Sequence, residues 1–269
     1  MLTFRRLLNR IRRNDAGKAL LSGLQGWSFA DLLLHLDDPV PESEKERLEC
    51  AFERLESGEP VQFILNEAPF YGRTFYVDRA VLIPRFDTEI LVINAIAVLR
   101  SGSGKSVLDL CTGSGAIGIT LKKELPELDV TLSDISREAL RVAERNARSL
   151  NASVKIVNSD LFEDISGSFD LITANPPYIA DDVIETLETE VKDHEPRLAL
   201  SGGSDGLSFY RKMIPGSIKH LNPKGTLLTE IGYDQGGSVR QLFEEAGFKD
   251  IEVLKDLAGR DRNVKGMIP

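Results

Sequence analysis

The chain carries one short motif whose residue types suit chemistry on a planar nitrogen, Asn175-Pro-Pro-Tyr178. An amide or aromatic-amine nitrogen is a poor nucleophile because its lone pair is delocalised, and no ordinary side-chain base removes its proton beforehand. A site can instead hold both N–H bonds with fixed acceptors. Asn175 offers a side-chain carbonyl and Pro176 a backbone carbonyl, while the prolines stiffen the turn and Tyr178 can lie flat on a planar group. The motif therefore predicts catalysis by positioning.

A second motif, a glycine-rich turn that opens a helical pattern, suits a nucleotide-like ligand. It reads Asp109-Leu-Cys-Thr-Gly-Ser-Gly-Ala-Ile-Gly118. Glycines let the backbone turn sharply and approach a ligand, and a helix N-terminus presents free N–H groups. Asp134 ends the next apolar run, where an acid would bind ribose hydroxyls. Both NAD and S-adenosylmethionine fit this pattern.

The position of the first acid favours the methyl donor. Three residues separate Asp109 from Gly113, so Asp109 can pair with the ammonium group of S-adenosylmethionine, whereas it would repel a pyrophosphate. Asp134 would accept hydrogen bonds from both ribose hydroxyls. The predicted donor contacts are Asp109, Thr112, Gly113, Gly115, Asp134, Asp160 and Asn175.

The order of apolar runs and helical patterns beyond Asp87 predicts the fold that holds both motifs. We predict strands at 107–110, 130–132, 154–157, 171–173 and 226–231, and helices around 116–125, 136–150, 206–220 and 236–246. This alternation is typical of a doubly wound, mostly parallel α/β sheet. The carboxyl ends of its strands share one crevice, so the Asn175 motif should face the glycine-rich turn.

The first part of the chain has a different pattern. Residues 1–68 show apolar residues three and four apart, interrupted at Pro39 and Pro41, which predicts a small helical domain. Residues 70–83 are rich in strand-favouring side chains, and Gly72 suits a tight turn. We therefore expect a helical domain over 1–68, a β-hairpin linker over 69–84 and a methyltransferase domain over 85–269.

Composition excludes several classes of protein. The net charge of -9 opposes sequence-independent binding to phosphate backbones. No apolar run approaches the roughly 18 residues of a membrane span, and residues 1–13 lack the apolar centre of a secretory signal. We expect a cytoplasmic protein without a membrane segment. Cys50, Cys111 and three scattered histidines predict no disulfide and no metal site.

The start of the chain is a local basic exception. Its arginines alternate with apolar residues at helical spacing, which favours a solvated face on a first helix. Contact with RNA or an acidic partner and a mitochondrial presequence are the alternatives. The arginines concerned are Arg5, Arg6, Arg10, Arg12 and Arg13.

In combination, these motifs resemble the peptide chain release factor glutamine methyltransferases of the HemK type. The resemblance runs from about Glu59 to the C-terminus. Amino-methylating DNA enzymes share the two motifs above but lack the Ile-Pro-Arg segment and the helical domain ahead of it. The further matching segments are Phe70-Tyr-Gly-Arg-Thr-Phe75, Val81-Leu-Ile-Pro-Arg-Phe-Asp-Thr-Glu89, Glu195-Pro-Arg-Leu-Ala-Leu200 with Gly202-Gly203 and Asp205-Gly206, and Asp256-Leu-Ala-Gly-Arg-Asp-Arg262.

The resemblance implies a Rossmann-like class I methyltransferase sheet with a helical substrate-recognition domain. It also implies that Ile83, Pro84, Arg85, Thr88 and Glu89 border the substrate and cofactor pocket. The predicted catalytic residues are Asn175, Pro176 and Tyr178, and the predicted substrate contacts are these three with Pro177, Ile83, Pro84 and Arg85. Phe86 stands where the family usually has proline and Asn66 where it usually has glycine, which bears on the fine shape of the acceptor pocket.

The implied reaction is methyl transfer from S-adenosylmethionine to the glutamine side-chain nitrogen of the Gly-Gly-Gln motif in class I release factors, with S-adenosylhomocysteine as product. One alternative is a glutamine of a large-subunit ribosomal protein. Another is the amino group of adenine or cytosine in nucleic acid, which the acidic charge disfavours. A binding module that retains the fold without the chemistry is the third. We expect a monomer.

Three more charged residues have expected roles outside these motifs. Glu195 and Arg197 could pair with each other in a salt bridge or order a loop over the active site. Glu230, at the end of the last predicted strand, is expected to be structural.

Overall fold

The computed structural model describes residues 2–11, 14–102 and 104–269, and it divides into two compact units. The helical unit comprises Met1–Glu67 and Glu188–His194, and the sheet unit comprises Ala68–Leu187 and Glu195–Pro269. A segment far along the chain therefore belongs to the helical unit, which periodicity in the first 68 residues does not predict.

Five helices form most of the helical unit: α1 (Phe4–Leu8), α2 (Asn14–Gln25), α3 (Phe29–His35), α4 (Glu42–Glu56) and α5 (Val61–Leu65). Ser28 starts α3 with a capping box, because its hydroxyl accepts from the Asp31 N–H and the Asp31 carboxylate accepts from the Ser28 N–H. Fully buried leucine and phenylalanine side chains, among them Leu21 and Phe52, make its core. The unit thus has an apolar core of its own.

Two arginines of the basic start pair with acids inside this unit. Arg5 Nε lies 2.6 Å from Asp37 Oδ1, and Arg10 Nε lies 2.9 Å from Glu56 Oε1. Both pairs are largely exposed, and such pairs contribute little to stability. Arg12 and Arg13 lie outside the described residues.

A hairpin of β1 (Glu67–Phe70) and β2 (Arg73–Tyr76) follows. Its turn residues Tyr71 and Gly72 both have positive φ, 48° and 70°, as a two-residue hairpin turn of type I′ requires. The predicted hairpin is therefore present, although its strands end at Tyr76 and irregular chain leads to a short 3-10 helix, Phe86–Thr88.

The main sheet has seven strands: β3 (Ser106–Leu110), β4 (Asp129–Asp134), β5 (Lys155–Asn158), β6 (Phe169–Ala174), β7 (Leu221–Glu230), β8 (Lys249–Lys255) and β9 (Asp261–Met267). Their order is β5-β4-β3-β6-β7-β9-β8, and the first five strands in this order run parallel to one another. β9 pairs antiparallel with both β7 and β8. The predicted doubly wound sheet is confirmed.

Helices cover both faces of this sheet. The longer ones are α6 (Glu89–Ser101), α7 (Ala116–Glu124), α8 (Arg137–Ser149), α11 (Ser208–Ser217) and α12 (Gly236–Glu245), and α9 (Asp181–Ile184) is a single turn. The single turn α10 (Thr189–Lys192) belongs to the helical unit. Val107 of β3 packs with α6–α8, whereas its neighbour Leu108 packs with α11 and α12. This period of two lets one strand face two apolar layers.

No predicted element corresponds to α6, β8 or β9. The sequence patterns did predict the cores of β3 to β7 and of α7, α8, α11 and α12, with ends displaced by a few residues. Among the described residues, no helix combines the length and apolar character that a bilayer crossing needs.

Candidate active site

A cavity of about 240 Å³ opens at the carboxyl ends of the parallel strands, within the sheet unit. This is the edge at which open α/β sheets bind ligands. Of the predicted donor residues, Gly113, Asp134, Asp160 and Asn175 line it. Its other lining residues are Ala80, Val81, Leu82, Leu110, Cys111, Ser133, Ile135, Ser136, Ala139, Ser159, Leu161, Pro177, Pro196, Leu198, Ala199, Phe209 and Lys212.

Gly113 gives this cavity an open wall of backbone. Its φ is 54°, and a Cβ placed there would meet no atom within 4 Å. Its N–H donates to Asp134 Oδ2 at 2.9 Å, while the Ser136 N–H donates to Asp134 Oδ1 at 2.9 Å. The carboxylate of Asp134 thus holds the glycine-rich turn against the end of β4. Burial raises its pKa, and these backbone donors oppose the increase.

Asp109 lies behind the turn and has no exposed surface. Its Oδ2 accepts from the Thr112 hydroxyl at 2.6 Å and from the Gly118 N–H at 3.1 Å, and its Oδ1 accepts from the Thr173 hydroxyl at 2.9 Å. Burial raises its pKa to about 6. The geometry shows Asp109 and Thr112 organising the turn from within, and direct contact of Asp109 with a donor ammonium stays a prediction.

Gly115 and Gly118 allow α7 to start close to the sheet. Gly115 has φ 82°, and a Cβ on Gly118 would lie 2.3 Å from Leu132 Cδ2. A side chain at Gly118 would therefore push the helix away from β4. Gly115 does not line the cavity, so its observed role is the entry into α7.

The Asn-Pro-Pro-Tyr motif follows β6 directly and faces the glycine-rich turn, as predicted. Asn175 Nδ2 donates to the Thr88 hydroxyl at 3.3 Å. No described residue donates to Asn175 Oδ1 or to the Pro176 carbonyl. Neither of the two oxygens predicted as acceptors thus has a donor among the described residues. Asn175 lines the cavity, whereas Pro176 and Tyr178 do not.

Tyr178 is held by its backbone and by its hydroxyl. Its carbonyl accepts from Gln235 Nε2 at 2.9 Å, and its hydroxyl donates to Glu230 Oε1 at 3.2 Å. Gly202 and Gly206 approach it so closely that a Cβ on Gly206 would lie 2.4 Å from the Tyr178 carbonyl oxygen. This explains why glycines occupy these two positions.

The Ile-Pro-Arg segment is anchored to a buried acid. The Ile83 N–H donates to Glu195 Oε2 at 3.3 Å, and Arg85 Nη2 donates to Glu195 Oε1 at 2.5 Å. The expected pairing of Glu195 with Arg197 is wrong, because Arg197 pairs with Glu185 at 3.0 Å on the surface.

Residues 83–85 themselves do not line the cavity. Ala80, Val81 and Leu82, just before them, do so instead. A role of Ile83, Pro84 and Arg85 in contacting substrate therefore stays a prediction. Glu89, which the resemblance placed at the pocket, accepts from the Tyr71 N–H at 2.7 Å and so anchors the hairpin turn.

Several residues that line the cavity were not predicted from the sequence. Phe209 and Lys212 of α11 line it, as does Ile135, which is 49% exposed directly after Asp134. An apolar residue directly after Asp134, the acid predicted to bind ribose, is a signal that could have predicted Ile135. No local sequence pattern marks Phe209 and Lys212, because only the packing of α11 brings them to the cavity.

Glu230, at the end of β7, is a buried carboxylate that accepts from the Tyr178 hydroxyl. It is 1% exposed, and burial raises its pKa to about 7, while the Thr88 hydroxyl, the positive charge of Arg262 and the Tyr178 hydroxyl oppose the increase. Glu230 does not line the cavity, and its expected structural role stays a prediction.

The two departures from the family pattern have simple geometries. Phe86 is 73% exposed on the short 3-10 helix. Asn66 ends α5 with φ 56°, a left-handed conformation that asparagine tolerates better than other residues with a side chain. Neither residue lines the cavity.

Two family models match the chain. One is the PrmC N-terminal domain, over residues 4–65, and the other is the methyltransferase small domain, over residues 87–204. A methyltransferase structure from Pyrococcus furiosus, 16% identical, superimposes with a TM-score of 0.55 over 83% of this chain and 98% of that one. This likeness concerns the fold.

Curated relatives match nearly the whole chain. The release factor glutamine methyltransferase of Agrobacterium fabrum is 39% identical, over 91% of this chain and 87% of the relative. The enzyme of the same name from Bacillus subtilis is 39% identical, over 96% of this chain and 92% of the relative. These matches confirm the resemblance found in the sequence, and the chain belongs to the release factor glutamine methyltransferase family.

Proposed function

We propose that this protein transfers a methyl group from S-adenosylmethionine to the side-chain nitrogen of the glutamine in the Gly-Gly-Gln motif of a class I release factor. The observation that carries the reaction type is that Asn175 lines a cavity together with Gly113 and Asp134, while Asn175 Oδ1 and the carbonyl of the following Pro176 accept from no described residue. The names of the relatives support the choice of substrate.

The cavity fits the methyl donor in charge and shape. Asp134 and Asp160 line it, and acids favour a ligand that carries a sulfonium and an ammonium group over one that carries a pyrophosphate. The open face of Gly113 leaves room for close approach of a ligand to the backbone. Asp134 would hold the ribose hydroxyls, and Ile135 offers an apolar surface for the adenine ring.

The acceptor side works by positioning. S-adenosylmethionine supplies, when bound, a methyl group made electrophilic by the sulfonium. Asn175 Oδ1 and the Pro176 carbonyl accept the two N–H bonds of the glutamine amide and so aim its nitrogen into the cavity. Tyr178 offers a flat surface to the amide plane. The nitrogen gives up one proton to solvent as it gains the methyl group, so no general base is required.

The helical unit would add contacts to a protein substrate. Three apolar side chains on α3 are exposed: Phe29 (62%), Leu33 (52%) and Leu34 (77%). An exposed apolar cluster on a small unit is typical of protein interaction sites. We propose that this α3 face contacts the release factor. We also propose that the enzyme acts as a monomer, and in the cytoplasm, where release factors meet the ribosome.

The test is an incubation with methyl-labelled S-adenosylmethionine and, in separate reactions, a class I release factor, large-subunit ribosomal proteins, and DNA or RNA. We expect label in the release factor alone, on the Gly-Gly-Gln peptide by mass spectrometry. A release factor whose glutamine is changed to alanine serves as the control and should stay unlabelled. Label only in a ribosomal protein or only in nucleic acid would overturn the proposed substrate.

A further inference from the structure

Two segments that line the cavity lie outside the strands of the sheet. Residues 80–82, here called the first wall, belong to the irregular chain between the hairpin and the first 3-10 helix. Residues 196–199, the second wall, contain the 3-10 turn Arg197–Ala199. Ladder hydrogen bonds of the sheet do not fix these two walls, so other contacts must set their separation.

One carboxylate joins the two walls. Glu195 directly precedes the second wall, and Ile83 directly follows the first. The Ile83 N–H donates to Glu195 Oε2 at 3.3 Å, and Arg85 Nη2 donates to Glu195 Oε1 at 2.5 Å. Both oxygens of Glu195 thus hold the end of the first wall at the beginning of the second.

The opposite ends of the two walls are fixed by separate contacts. Ahead of the first wall, the Tyr76 N–H donates to Asn146 Oδ1 of α8 at 2.7 Å, and Asn146 Nδ2 donates to the Tyr76 carbonyl at 2.9 Å. After the second wall, the Ile179 N–H donates to the Leu200 carbonyl at 3.0 Å. Each wall is therefore a short segment held at one end by the rest of the sheet unit and at the other end by Glu195.

Burial makes the contacts of Glu195 hard for water to replace. The side chain of Glu195 is 1% exposed and that of Arg85 is 38% exposed. A buried carboxylate costs free energy unless its oxygens are hydrogen-bonded and its charge is paired, and Glu195 meets both conditions. The pair of Arg197 with Glu185 differs, because both side chains are 61% exposed and such pairs contribute little to stability.

We propose that Glu195 is a positioning residue that sets the separation of the two walls and thereby keeps S-adenosylmethionine in the cavity. Leu198 of the second wall is 55% exposed although it lines the cavity, so a ligand held there covers apolar surface that otherwise faces water. Without the Glu195 carboxylate, the joined ends separate and this cover is lost. The inference rests on the proposed function, since it requires the methyl donor in this cavity, but it does not depend on the identity of the acceptor.

Glu195→Gln and Glu195→Ala test the proposal by titration calorimetry with S-adenosylmethionine and no acceptor. Glutamine keeps one of the two acceptor oxygens, whereas alanine keeps neither. The Kd for S-adenosylmethionine should therefore rise about tenfold in Glu195→Gln and further in Glu195→Ala, because hydrogen bonds of a charged group are lost stepwise. Glu185→Gln makes the same change in the exposed partner of Arg197, and its Kd should stay within about twofold of wild type.

Steady-state kinetics separate positioning from a general loosening of the fold. The KM for S-adenosylmethionine should rise with the Kd in Glu195→Gln, whereas kcat at saturating S-adenosylmethionine should stay within about threefold of wild type. The reason is that Tyr178 of the acceptor motif is held by Gln235 and Glu230. Arg85→Lys tests the contact from its other side, because lysine keeps the charge but loses the planar donor group, and its Kd should also rise.

Circular dichroism checks that each variant folds, and Arg85→Lys decides where a Glu195 variant does not. A wild-type Kd in both Glu195→Gln and Arg85→Lys would overturn the inference, as would a loss confined to kcat. A wild-type enzyme that binds S-adenosylmethionine but methylates neither the release factor nor a Gly-Gly-Gln peptide would instead overturn the proposed function and leave the inference intact.

Discussion

Replacing Asp109 by asparagine should change how the stability of the protein depends on pH. The Asp109 carboxylate is fully buried and its pKa is raised from 3.8 to about 6, chiefly by burial. The folded state therefore holds a proton on Asp109 that the unfolded state has already released between these two pH values. Such a group favours folding in acid, and its contribution is lost as pH rises through about 6.

The size of this effect follows from the difference between the two pKa values. One unit of pKa corresponds to about 1.4 kcal/mol, so a difference of roughly two units gives about 3 kcal/mol. Asparagine does not titrate. The free energy of unfolding of Asp109→Asn minus that of wild type should therefore rise by about 2.5 kcal/mol between pH 4 and pH 8, because the unfolded carboxyl has already begun to ionise at pH 4.

Urea unfolding at pH steps from 4 to 8 measures this difference. Circular dichroism is the suitable signal, because Trp27, the only tryptophan, belongs to the helical unit and does not report on the sheet unit. Asparagine also loses an acceptor for the Gly118 N–H, but this loss is the same at every pH. It moves the offset between the two curves and leaves their slope unchanged.

Asp170→Asn is the matched control. Hydrogen bonds from Ser106, Asn222 and Lys105 outweigh partial burial and lower the Asp170 pKa to about 2, so its contribution is complete above pH 5 and is lost only in stronger acid. Its difference from wild type should be flat from pH 5 to 8. A flat difference for Asp109→Asn as well would refute our account of its burial.

Three further outcomes are expected. Asp134→Ala should weaken S-adenosylmethionine at least about tenfold by calorimetry, because hydrogen bonds to a charged group contribute about 1.5–3 kcal/mol each and the Gly113 N–H also loses its acceptor; micromolar binding of NAD without a response to S-adenosylmethionine would contradict the donor site. Asn175→Ala should lower kcat about 100- to 1000-fold with donor binding intact, and Asn175→Asp should keep more activity because it retains the oxygen; wild-type rates for both would make Asn175 a turn residue only. Phe29→Ser with Leu34→Ser should reduce kcat/KM on intact release factor at least about tenfold, given about 1.5–3 kcal/mol for a fully buried apolar side chain, and leave a Gly-Gly-Gln peptide unaffected; equal losses on both substrates would refute the docking role of α3.

The spacing of apolar residues predicted those strands and helices in which buried positions recur regularly along the sequence. The strands β3 and β6 are short, mostly buried apolar runs because helices cover both of their faces, so their sequence carries the signal directly. β9 shows why the rest was missed. It lies between β7 and β8, yet it buries Arg262 and Asn263, and Asn263 Oδ1 accepts from Asn94 Nδ2 of α6. Polar residues satisfied by distant partners give no strand pattern.

The helix α6 was missed for the opposite reason. Its sequence, Glu89-Ile-Leu-Val-Ile-Asn94 and onward, is apolar on most sides, and such a run does not distinguish a helix from a buried strand. The boundaries of the other helices were off by only a few residues, because their polar faces mark the period clearly.

The candidate site was predictable where residues of suitable chemistry stand at the ends of predicted strands. Gly113, Asp134 and Asn175 stand at strand ends, and strand ends in a parallel sheet must meet. The partners of buried carboxylates were not predictable. Glu195 pairs with Arg85 and not with the nearby Arg197, because the irregular chain around residue 85 follows tertiary contacts that no period encodes.

The return of Glu188–His194 to the helical unit has a consequence for how the protein is made. During synthesis, Met1–Glu67 leaves the ribosome first and would ordinarily fold as an independent unit. Here the segment that lies against Gly58, where Thr189 Cγ2 would be 3.2 Å from a Cβ, emerges only after β3 to β6 have been made. The helical unit is thus completed only after much of the sheet unit has been synthesised. An exchange of helical units between relatives must therefore carry both Met1–Glu67 and Glu188–His194.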